Sequence, residues 1–509
     1  MWKHSFIYWM NVPIKRKRKG VNYALQTKTK PNILFLMTDQ MQAAVLEENH
    51  PCRTPNFDRL AQEGTTIAKA YTPNAVCSPA RASLMTGLLP HNHGVLQVIH
   101  TTDADQNCLR KDKPHWAQYL QQNGYRTGYF GKWHAERSNQ LEDFGWEVNG
   151  ERSQEMYQRK KKQLQPSPMG KSFKLAKYLD QPHGYSPSLL YGVTEIEPEC
   201  RDVGITTSLA LDFLEERVGK SEPWCCFVSV IEPHDPFVCG EQAFSLYDPD
   251  QLELPPNATD TLENRPALYR KSARAYENLT LREKKEAMAC YYGSVTEIDA
   301  QFGKLIDFLR DRGELENTII VLTSDHGELL GAHGLYCKNT GAFEEVYRIP
   351  MILSGPGMPK GLKLDARAGL HDLGPTLLEL TGCGAFNYSD SRSFAPLLQQ
   401  NYEAHLEHDQ EGYAEYHGGR YLLTQRIVWD GDWKLVFNGF DFDELYNLKQ
   451  DPHEMENLIH LPDYQEIAKR MFAKAWRKMQ ETGDHSLLNS HYPPLRLAPY
   501  GPLVSEHER

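Results

Sequence analysis

A cysteine beside a predicted helix start is the first group in this sequence that could act as a nucleophile. Ser78 suits the N-cap of that helix, Pro79 suits its first position, and Gly87 suits its C-terminal cap. Cys77 is thereby predicted at a helix N-terminus, where backbone N–H groups and the helix dipole favour anions. Arg81 lies about one turn further on and can point back at the same place. An isolated cysteine in this setting is more often a small buried thiol, so the segment alone does not establish a nucleophile.

Metal-binding and proton-transferring groups follow four short apolar runs elsewhere in the chain. Asp39 and Gln40 follow the run at 33–38, and Lys132 and His134 follow the run at 125–131. His234 follows the run at 226–231, and Asp325 and His326 follow the run at 319–324. Ligands of open α/β sheets bind beyond the carboxyl ends of the strands. If the runs are parallel strands, these side chains meet at one rim of the sheet.

The elements that must position these groups read as an α/β fold. Apolar runs bounded by turn residues occur at 33–37, 125–130, 225–231, 318–322 and 351–353. Helical patterns lie between or beside them at 54–63, 114–123, 208–218, 292–310 and 373–380. Continuous apolar strands alternating with amphipathic helices indicate a large, mostly parallel (mixed) sheet sandwiched by helices.

The pattern divides the chain into four parts. Residues 1–30 are predicted to be an N-terminal extension, 31–390 the α/β catalytic domain, 391–485 a smaller α+β subdomain with an antiparallel sheet, and 486–509 a tail. Within the large domain, residues 154–197 lack periodicity and are predicted to form a long surface insertion near the site.

Composition narrows the class of protein. The chain has 509 residues, of which 40% are hydrophobic and 24% charged, as in ordinary soluble globular proteins. The net charge of −11 disfavours nucleic acid and anionic membranes as main partners. The basic run at 15–19 follows a short apolar stretch, the reverse of a secretory signal. Adjacent Cys225 and Cys226 suit buried thiols rather than a disulfide framework. A cytoplasmic location is therefore expected.

Taken together, the motifs resemble those of type I sulfatases, in the alkaline-phosphatase-like superfamily. The segments that carry the resemblance are 77–87, 124–134, 32–40, Pro233-His234, 324–328, 331–334 and 441–458. They occur in the family's order and span about residues 31 to 460. Phe130 departs from the small aliphatic residue that is usual in the second of these motifs.

The resemblance implies an unusual nucleophile. In that family a maturation enzyme oxidises the signature cysteine, here Cys77, to formylglycine, whose hydrate carries two hydroxyls on one carbon. One hydroxyl attacks sulfur and releases the alcohol, and the other then loses its proton and expels sulfate as the aldehyde re-forms. A serine would form a stable sulfate ester with no internal route of release.

The resemblance also implies a role for each site residue. The metal ligands would be Asp39, Gln40, Asp325, His326 and a formylglycine oxygen at position 77. Asp325 could also accept the proton of the attacking hydroxyl. Arg81 and Lys132 would hold the hydrate, and His134 would assist the elimination of sulfate. His234 and Lys338 would bind the sulfate and stabilise the leaving oxygen, with His234 as the proton donor.

Two departures affect the metal. Many family members have a second Asp where this chain has Gln40, and an Asn where it has His326. The amide and the imidazole leave the site less negative. Ca²⁺ prefers hard oxygen ligands, whereas imidazole suits Mn²⁺. The resemblance implies one divalent cation, with Ca²⁺ expected first and Mn²⁺ as the alternative.

Two other functions compete with cleavage of a sulfate monoester. Phosphonate monoester and phosphodiester hydrolases of the superfamily share the oxidised cysteine and resemble the Asp39-Gln40 and Asp325-His326 pairs. Those relatives tend to carry Tyr and Thr where this chain has Lys132 and His134, which favours sulfate. A non-catalytic binding protein would predict gaps in the constellation, yet every position is occupied by a suitable group.

The substrate is less constrained by the sequence. Relatives act on sulfated sugars, aryl sulfates and choline sulfate, and the long insertions favour a sulfated carbohydrate. The cavity walls are expected from loops at 90–100, 154–197, 235–264 and near His417. Four further histidines could reach the leaving group but are more often structural: His91, His93, His100 and His333. The oligomeric state is not readable from the sequence.

Overall fold

The structure, a computed structural model, describes most of the chain. The described residues are 30–103, 105–110, 112–165, 173–180, 186–338, 341–386, 390–399, 410–419, 423–439 and 441–485. The predicted tail, and the predicted N-terminal extension apart from residue 30, lie outside these ranges.

The described residues form fifteen strands in three sheets, with helices between them. The strands are β1 (Asn32–Asp39), β2 (Thr65–Tyr71), β3 (Arg126–Gly131), β4 (Val148–Glu151), β5 (Phe173–Leu179), β6 (Ser188–Thr194), β7 (Trp224–Pro233), β8 (Phe237–Gly240), β9 (Thr318–Ser324), β10 (Met351–Ser354), β11 (Leu362–Gly369), β12 (Glu411–Tyr416), β13 (Gln425–Asp430), β14 (Trp433–Asn438) and β15 (Glu444–Asn447). The helices are α1 (Pro55–Glu63), α2 (Cys77–Thr86), α3 (Pro90–His93), α4 (Trp116–Gln122), α5 (Glu155–Leu164), α6 (Asp202–Arg217), α7 (Glu241–Phe244), α8 (Ala267–Ala273), α9 (Leu281–Asp311), α10 (Glu344–Tyr347), α11 (Leu373–Thr381) and α12 (Gln465–Thr482).

The predicted large mixed sheet is confirmed. It has eight strands in the order β11-β2-β10-β9-β1-β7-β3-β4. Strand β10 pairs antiparallel with both of its neighbours, and the other pairs in the sheet are parallel. All five predicted apolar runs are strands of this sheet.

Strand β1 explains why these runs are continuously apolar. Its residues Leu34 and Leu36 pack into the core on one face, and Ile33, Phe35 and Met37 pack into the core on the other face. The neighbouring cysteines 225 and 226 likewise belong to opposite faces, as predicted from their adjacency. Helices cover both faces, so neither side of a central strand meets water.

The parallel register aligns the strand ends. Thr38 of β1 is level with Ser324 of β9, and Gly131 of β3 is level with Ser229 of β7. Asp39 is level with Pro233 at the end of β7. The residues that follow these four strands therefore meet at one rim of the sheet.

Several elements differ from the prediction. Strand β11, at one edge of the sheet, alternates apolar with polar residues, and its neighbour β2 contains two threonines and a lysine, so both lack the continuous apolar signal of the central strands. The segment 154–197, predicted to be an aperiodic surface insertion, contains helix α5 and the strands β5 and β6. These two strands form a three-stranded sheet with β8.

The C-terminal region contains the predicted antiparallel sheet. Its order is β12-β13-β14-β15, and helix α12 packs on one face through Met471, Phe472 and Met479. All ten cysteines lie within the described residues, and none of them forms a disulfide there. Among the described helices, none combines the length and the apolar character that a bilayer crossing requires.

A buried histidine–glutamate pair joins this sheet to helix α3. His91 of α3 donates from Nδ1 to Glu415 of β12, and its Nε2 lies 3.1 Å from the carbonyl oxygen of Thr482. Two acceptors around one imidazole favour the doubly protonated ring. Burial alone would lower the pKa of His91, but Glu415 and the Thr482 carbonyl raise it to about 9.

Replacing His91 with glutamine is expected to lower the free energy of unfolding by about 2 kcal/mol at pH 6. The folded-state pKa lies above the unfolded value of about 6.5, so the stabilisation is complete below that pH and lost as pH rises through about 9. Denaturant unfolding at pH 6 and pH 9.5 measures the difference, with the exposed His453→Gln as control. An equal loss at both pH values would contradict the expectation.

Candidate active site

Cys77 is the first residue of helix α2 and is buried. Val76 is the N-cap, so the prediction of Ser78 as the N-cap is wrong by two residues. Pro79 then occupies the third helical position, where its missing N–H is still one that an α-helix leaves unpaired. Gly87 ends the helix in the left-handed conformation with φ of 70°, as predicted.

Arg81 binds two buried carboxylates one turn along α2. Its Nε lies 2.8 Å from Oδ2 of Asp325, and its Nη2 lies 3.0 Å from Oδ2 of Asp39. Nη1 donates to Oγ of Ser229 at 2.8 Å and to the carbonyl oxygen of Lys132 at 2.9 Å. Since all three charged side chains are buried, each needs the others to offset desolvation. Arg81 thus fixes the positions of both carboxylates beside Cys77.

Four side chains form a group that could hold a metal ion. Their ligand atoms lie within 4.8 Å of one another, and the residues are Asp39, Cys77, Asp325 and His326. The Cys77 Sγ lies 3.6 Å from Oδ1 of Asp39 and 3.3 Å from Nε2 of His326. Nδ1 of His326 lies 2.9 Å from the carbonyl oxygen of Gly327, which leaves Nε2 facing the group. Two carboxylates and an imidazole are a suitable donor set for a divalent cation.

Gln40 lies beside this group in a left-handed conformation with φ of 71°. Its amide oxygen accepts a hydrogen bond from Nζ of Lys338 at 3.0 Å. Its Nε2 donates to Oε2 of Glu328 at 2.5 Å and to Oδ1 of Asp235 at 3.0 Å. The amide oxygen is therefore directed at Lys338, and the role of Gln40 as a metal ligand stays a prediction.

The predicted cations also converge on the cysteine. Lys132 follows β3 and pairs with Asp39. Lys338 lies on the loop after β9, with Nζ 2.5 Å from Nε2 of His234. Nδ1 of His234 lies 2.6 Å from the carbonyl oxygen of Asp235, which orients the ring. The sequence brings these residues from three separate segments to one place.

His134 is held against a second histidine. Its Nε2 lies 2.9 Å from Nδ1 of His100, and the two rings stack with centroids 5.1 Å apart. Its Nδ1 is buried and has no hydrogen-bond partner among the described residues. Burial is the main cause that lowers the pKa of His134 to about 4, against the opposing effect of Cys77. A neutral imidazole is therefore available as a base near Cys77.

The cations determine the charge of the groups around Cys77. Burial alone would raise the pKa of the Cys77 thiol, but Lys132, Lys338 and His326 hold it well below its usual range. Burial and Cys77 would likewise raise the pKa of Asp39, and Lys132, His234 and Arg81 lower it. The site therefore favours a negative charge at the position of the Cys77 side chain.

A cavity of about 710 Å³ lies above Cys77. Its reacting end includes Cys77, Lys132, His134, His234 and Lys338. Other parts of the wall come from residues in segments 98–101, 136–139 and 151–152 and from Tyr416 of the C-terminal sheet. This volume accommodates a ligand much larger than a sulfate ion.

The additional histidines separate into two classes. His100 lines the cavity, whereas His93 is buried against Ser83 with an Nε2–Oγ distance of 2.9 Å. His333 is buried, stacks on Phe343 and bonds Asp260. His91 is the pair partner of Glu415 described above. Only His100 of the four lies in the described wall of the cavity.

Sequence reasoning assigned no role to three groups that support the site. Asp235 and Glu328 hold the Gln40 amide, and Ser229 anchors Arg81. Glu328 is part of the Ser324–Glu328 motif, and Asp235 directly follows His234, so both adjoin predicted residues. Ser229 lies inside an apolar strand, and its hydroxyl in that apolar run is the one feature of the sequence that could have marked it as a supporting residue.

Comparison with known proteins agrees with the motifs. The family model described as "Sulfatase" matches residues 31–383, and the model described as "N-sulphoglucosamine sulphohydrolase, C-terminal" matches residues 331–481. An uncharacterized sulfatase, YidJ, of Escherichia coli (strain K12) is 29% identical over 87% of this chain and 86% of its own.

Two further similarities are to a curated enzyme and to a solved structure. An N-acetylglucosamine-6-O-sulfatase of Bacteroides thetaiotaomicron is 26% identical over 87% of this chain and 85% of its own. The phosphonate monoester hydrolase SpPMH from Silicibacter pomeroyi has a TM-score of 0.74 at 23% identity, covering 90% of this chain and 97% of its own. This last likeness shows the fold alone.

Proposed function

Because the chain belongs to the sulfatase family, whose members are hydrolases, we propose that it cleaves a sulfate monoester in the cavity above Cys77. The observation that carries this proposal is the position of the Cys77 side chain. It adjoins Asp39 and His326 on one side, and the lysines and histidines of the reacting end surround it on the other. Asp39 and His326 could help a metal ion to activate a nucleophile at position 77. The lysines and histidines of the reacting end could bind a sulfate group and stabilise its leaving oxygen.

Cys77 is proposed to act after oxidation to formylglycine by a maturation enzyme. Its Sγ marks the place of the nucleophilic oxygen. Arg81 keeps Asp39 and Asp325 in position, and Asp325 is a candidate acceptor for the proton of the attacking hydroxyl. His134, neutral and with a free Nδ1, would take the proton of the second hydroxyl when sulfate leaves.

Lys132, Lys338 and His234 are proposed to bind the sulfate group. The two ammonium groups offset the charge of the sulfate oxygens, and His234 would protonate the leaving alcohol oxygen. Its pKa is raised because Asp39 and Cys77 outweigh burial and the opposing charge of Lys338. His234 would act as this general acid through Nε2, the nitrogen that faces Lys338, once that nitrogen carries a proton.

One divalent cation is proposed at Asp39, Asp325, His326 and residue 77, with Gln40 as a further ligand after its amide turns. When bound, such an ion lowers the pKa of the attacking hydroxyl and neutralises sulfate oxygens. Ca²⁺ is proposed first because carboxylate oxygens predominate, and Mn²⁺ second because of the imidazole.

The substrate class is proposed to be a sulfated carbohydrate. The relative named as an N-acetylglucosamine-6-O-sulfatase and the volume of the cavity support this choice. A cytoplasmic location remains a proposal that rests on the sequence alone.

Steady-state rates on three matched substrates test the function. We expect kcat/KM for an aryl sulfate to exceed that for the aryl phosphodiester and phenylphosphonate by about tenfold or more, because Lys132 and His134 match a sulfate group. The fold does not decide the matter, since a phosphonate monoester hydrolase shares it. Higher kcat/KM for the phosphonate would replace the proposal with phosphonate monoester hydrolysis.

A further inference from the structure

Arg137 stands out among the cations of the cavity wall. Four lysines and arginines line the cavity within the described chain: Lys132, Arg137, Arg152 and Lys338. Lys132 pairs with Asp39 and Arg152 with Asp202, and Lys338 belongs to the reacting end. Arg137 forms no ion pair with any described carboxylate. No described carboxylate therefore lies within ion-pair distance of its guanidinium.

The guanidinium of Arg137 is held in place by one nitrogen. Nη2 donates to the carbonyl oxygens of Thr102 and Asp103 at 2.8 and 2.7 Å and to Oγ of Thr102 at 2.9 Å. Its Nε is buried and finds no hydrogen-bond acceptor in the described part of the chain. Nη1 makes no hydrogen bond to a described residue either and, unlike Nε, is not enclosed, so it is the donor left for an anion in the cavity. A guanidinium that is held through Nη2 and unpaired at Nη1 loses little entropy when it binds an anion.

Glu136, which directly precedes Arg137 in the chain, does not form an ion pair with it. Glu136 also lines the cavity, but its Oε1 and Oε2 each accept from the backbone N–H of Ser138 at 2.9 Å. The Ser138 hydroxyl donates to Oε1 as well, at 2.5 Å. Glu136 is thus engaged with its own loop rather than with Arg137.

We propose that Arg137 binds a second anionic group, a carboxylate or a further sulfate, on the alcohol part of the substrate. The inference rests on the proposed function and extends it, since it makes the substrate a polyanionic saccharide rather than a simple sulfate ester. The scissile sulfate occupies the reacting end, and the second anion lies at the wall formed by segments 98–101 and 136–139.

Two pairs of probes distinguish the carboxylate from the sulfate. One pair is a sulfated disaccharide with a uronic acid and the methyl ester of the same compound, and the other is a disulfated and a monosulfated glucosamine. For the correct anion, we expect the ratio of kcat/KM between the member that carries the second anion and the member that lacks it to fall about tenfold or more in Arg137→Gln. If loss of the Arg137 anchor loosens the 102–106 loop, kcat/KM falls equally for both substrates of a pair, so the ratio is unaffected.

Arg110→Gln is the matched control. Arg110 also anchors a loop, with Nη1 donating to the carbonyl oxygen of Asn92 at 2.9 Å, and it does not line the cavity. Its loss changes the net charge by the same amount and should leave both ratios unchanged. Ratios that are the same in the parent and in Arg137→Gln for both probe pairs would overturn the proposal.

A binding measurement separates this inference from the proposed function. If the parent hydrolyses none of the sulfates, calorimetry with the desulfated uronic acid disaccharide, its methyl ester and glucosamine monosulfate still probes the wall. Tighter binding of an anionic compound than of the neutral ester, lost in Arg137→Gln, supports the anion site without turnover. Equal binding by both proteins contradicts it.

Discussion

Replacing Cys77 with alanine is expected to abolish hydrolysis of an aryl sulfate, with a fall in kcat of about 10⁴-fold or more. The side chain lies between the carboxylate–imidazole group and the cations of the cavity. The variant therefore has no nucleophile that these groups could activate. The measurement is a steady-state assay on the purified variant, with circular dichroism to confirm folding. Cys108→Ala, at an exposed cysteine outside the cavity, is the control for loss of a thiol.

Serine at position 77 makes a sharper test of the release step. Its single hydroxyl can attack sulfur but cannot expel sulfate, so we expect at most one turnover and a protein heavier by one SO₃ group. Intact-mass analysis of the parent should show instead loss of sulfur at Cys77 and its replacement by an aldehyde or hydrate. Undiminished turnover by the Cys77→Ala variant would remove the nucleophile from the proposal.

The rim of the sheet could be predicted because its signal is local. Strands buried on both faces must be continuously apolar, so β1, β7 and β9 stand out, and the polar residue that ends each run is conspicuous. Parallel pairing then brings those ends together without further information. Asp39 and Asp325 could be placed beside one another on this basis.

The edges of the sheet and the insertion were harder to predict. Strands β2 and β11 contain polar residues at partly exposed positions, and such a pattern resembles a loop when the strand is short. Strands β5 and β6 belong to a separate three-stranded sheet, and exposed positions interrupt the apolar pattern of β5. Their pairing with β8 depends on a distant segment, which no local pattern reports.

The supporting contacts depend on tertiary structure. No spacing indicates that His100 meets His134, or that Arg137 anchors the loop at 102–106, because each contact joins segments more than thirty residues apart. The direction of the Gln40 amide is set by Lys338, Asp235 and Glu328 together. The role of each residue in turn came from resemblance to a family rather than from the pattern of residues.

Replacing Asp325 with asparagine is expected to remove metal binding and to lower kcat/KM by about 10³-fold. The parent protein, stripped with a chelator, should gain about 2.7 kcal/mol of stability at a metal concentration of 100 times Kd. Asparagine keeps the shape of the side chain and can still accept from the N–H groups of Gln40 and His326, but it lacks the charge that pairs with Arg81. Thermal unfolding with and without Ca²⁺ or Mn²⁺ measures the gain.

The control for this variant is Asp299→Asn. Asp299 is also buried and accepts from the backbone N–H of Phe57 at 2.8 Å, and it does not line the cavity. Its loss should lower stability yet leave the metal-dependent gain intact, which separates the loss of a buried carboxylate from the loss of a ligand. A gain that persists in Asp325→Asn would place the ion elsewhere. The cation that restores activity at the lower concentration then identifies the coordination. Ca²⁺ would indicate a site dominated by oxygen ligands, and Mn²⁺ would indicate that the imidazole of His326, the one nitrogen donor in the group, contributes to affinity.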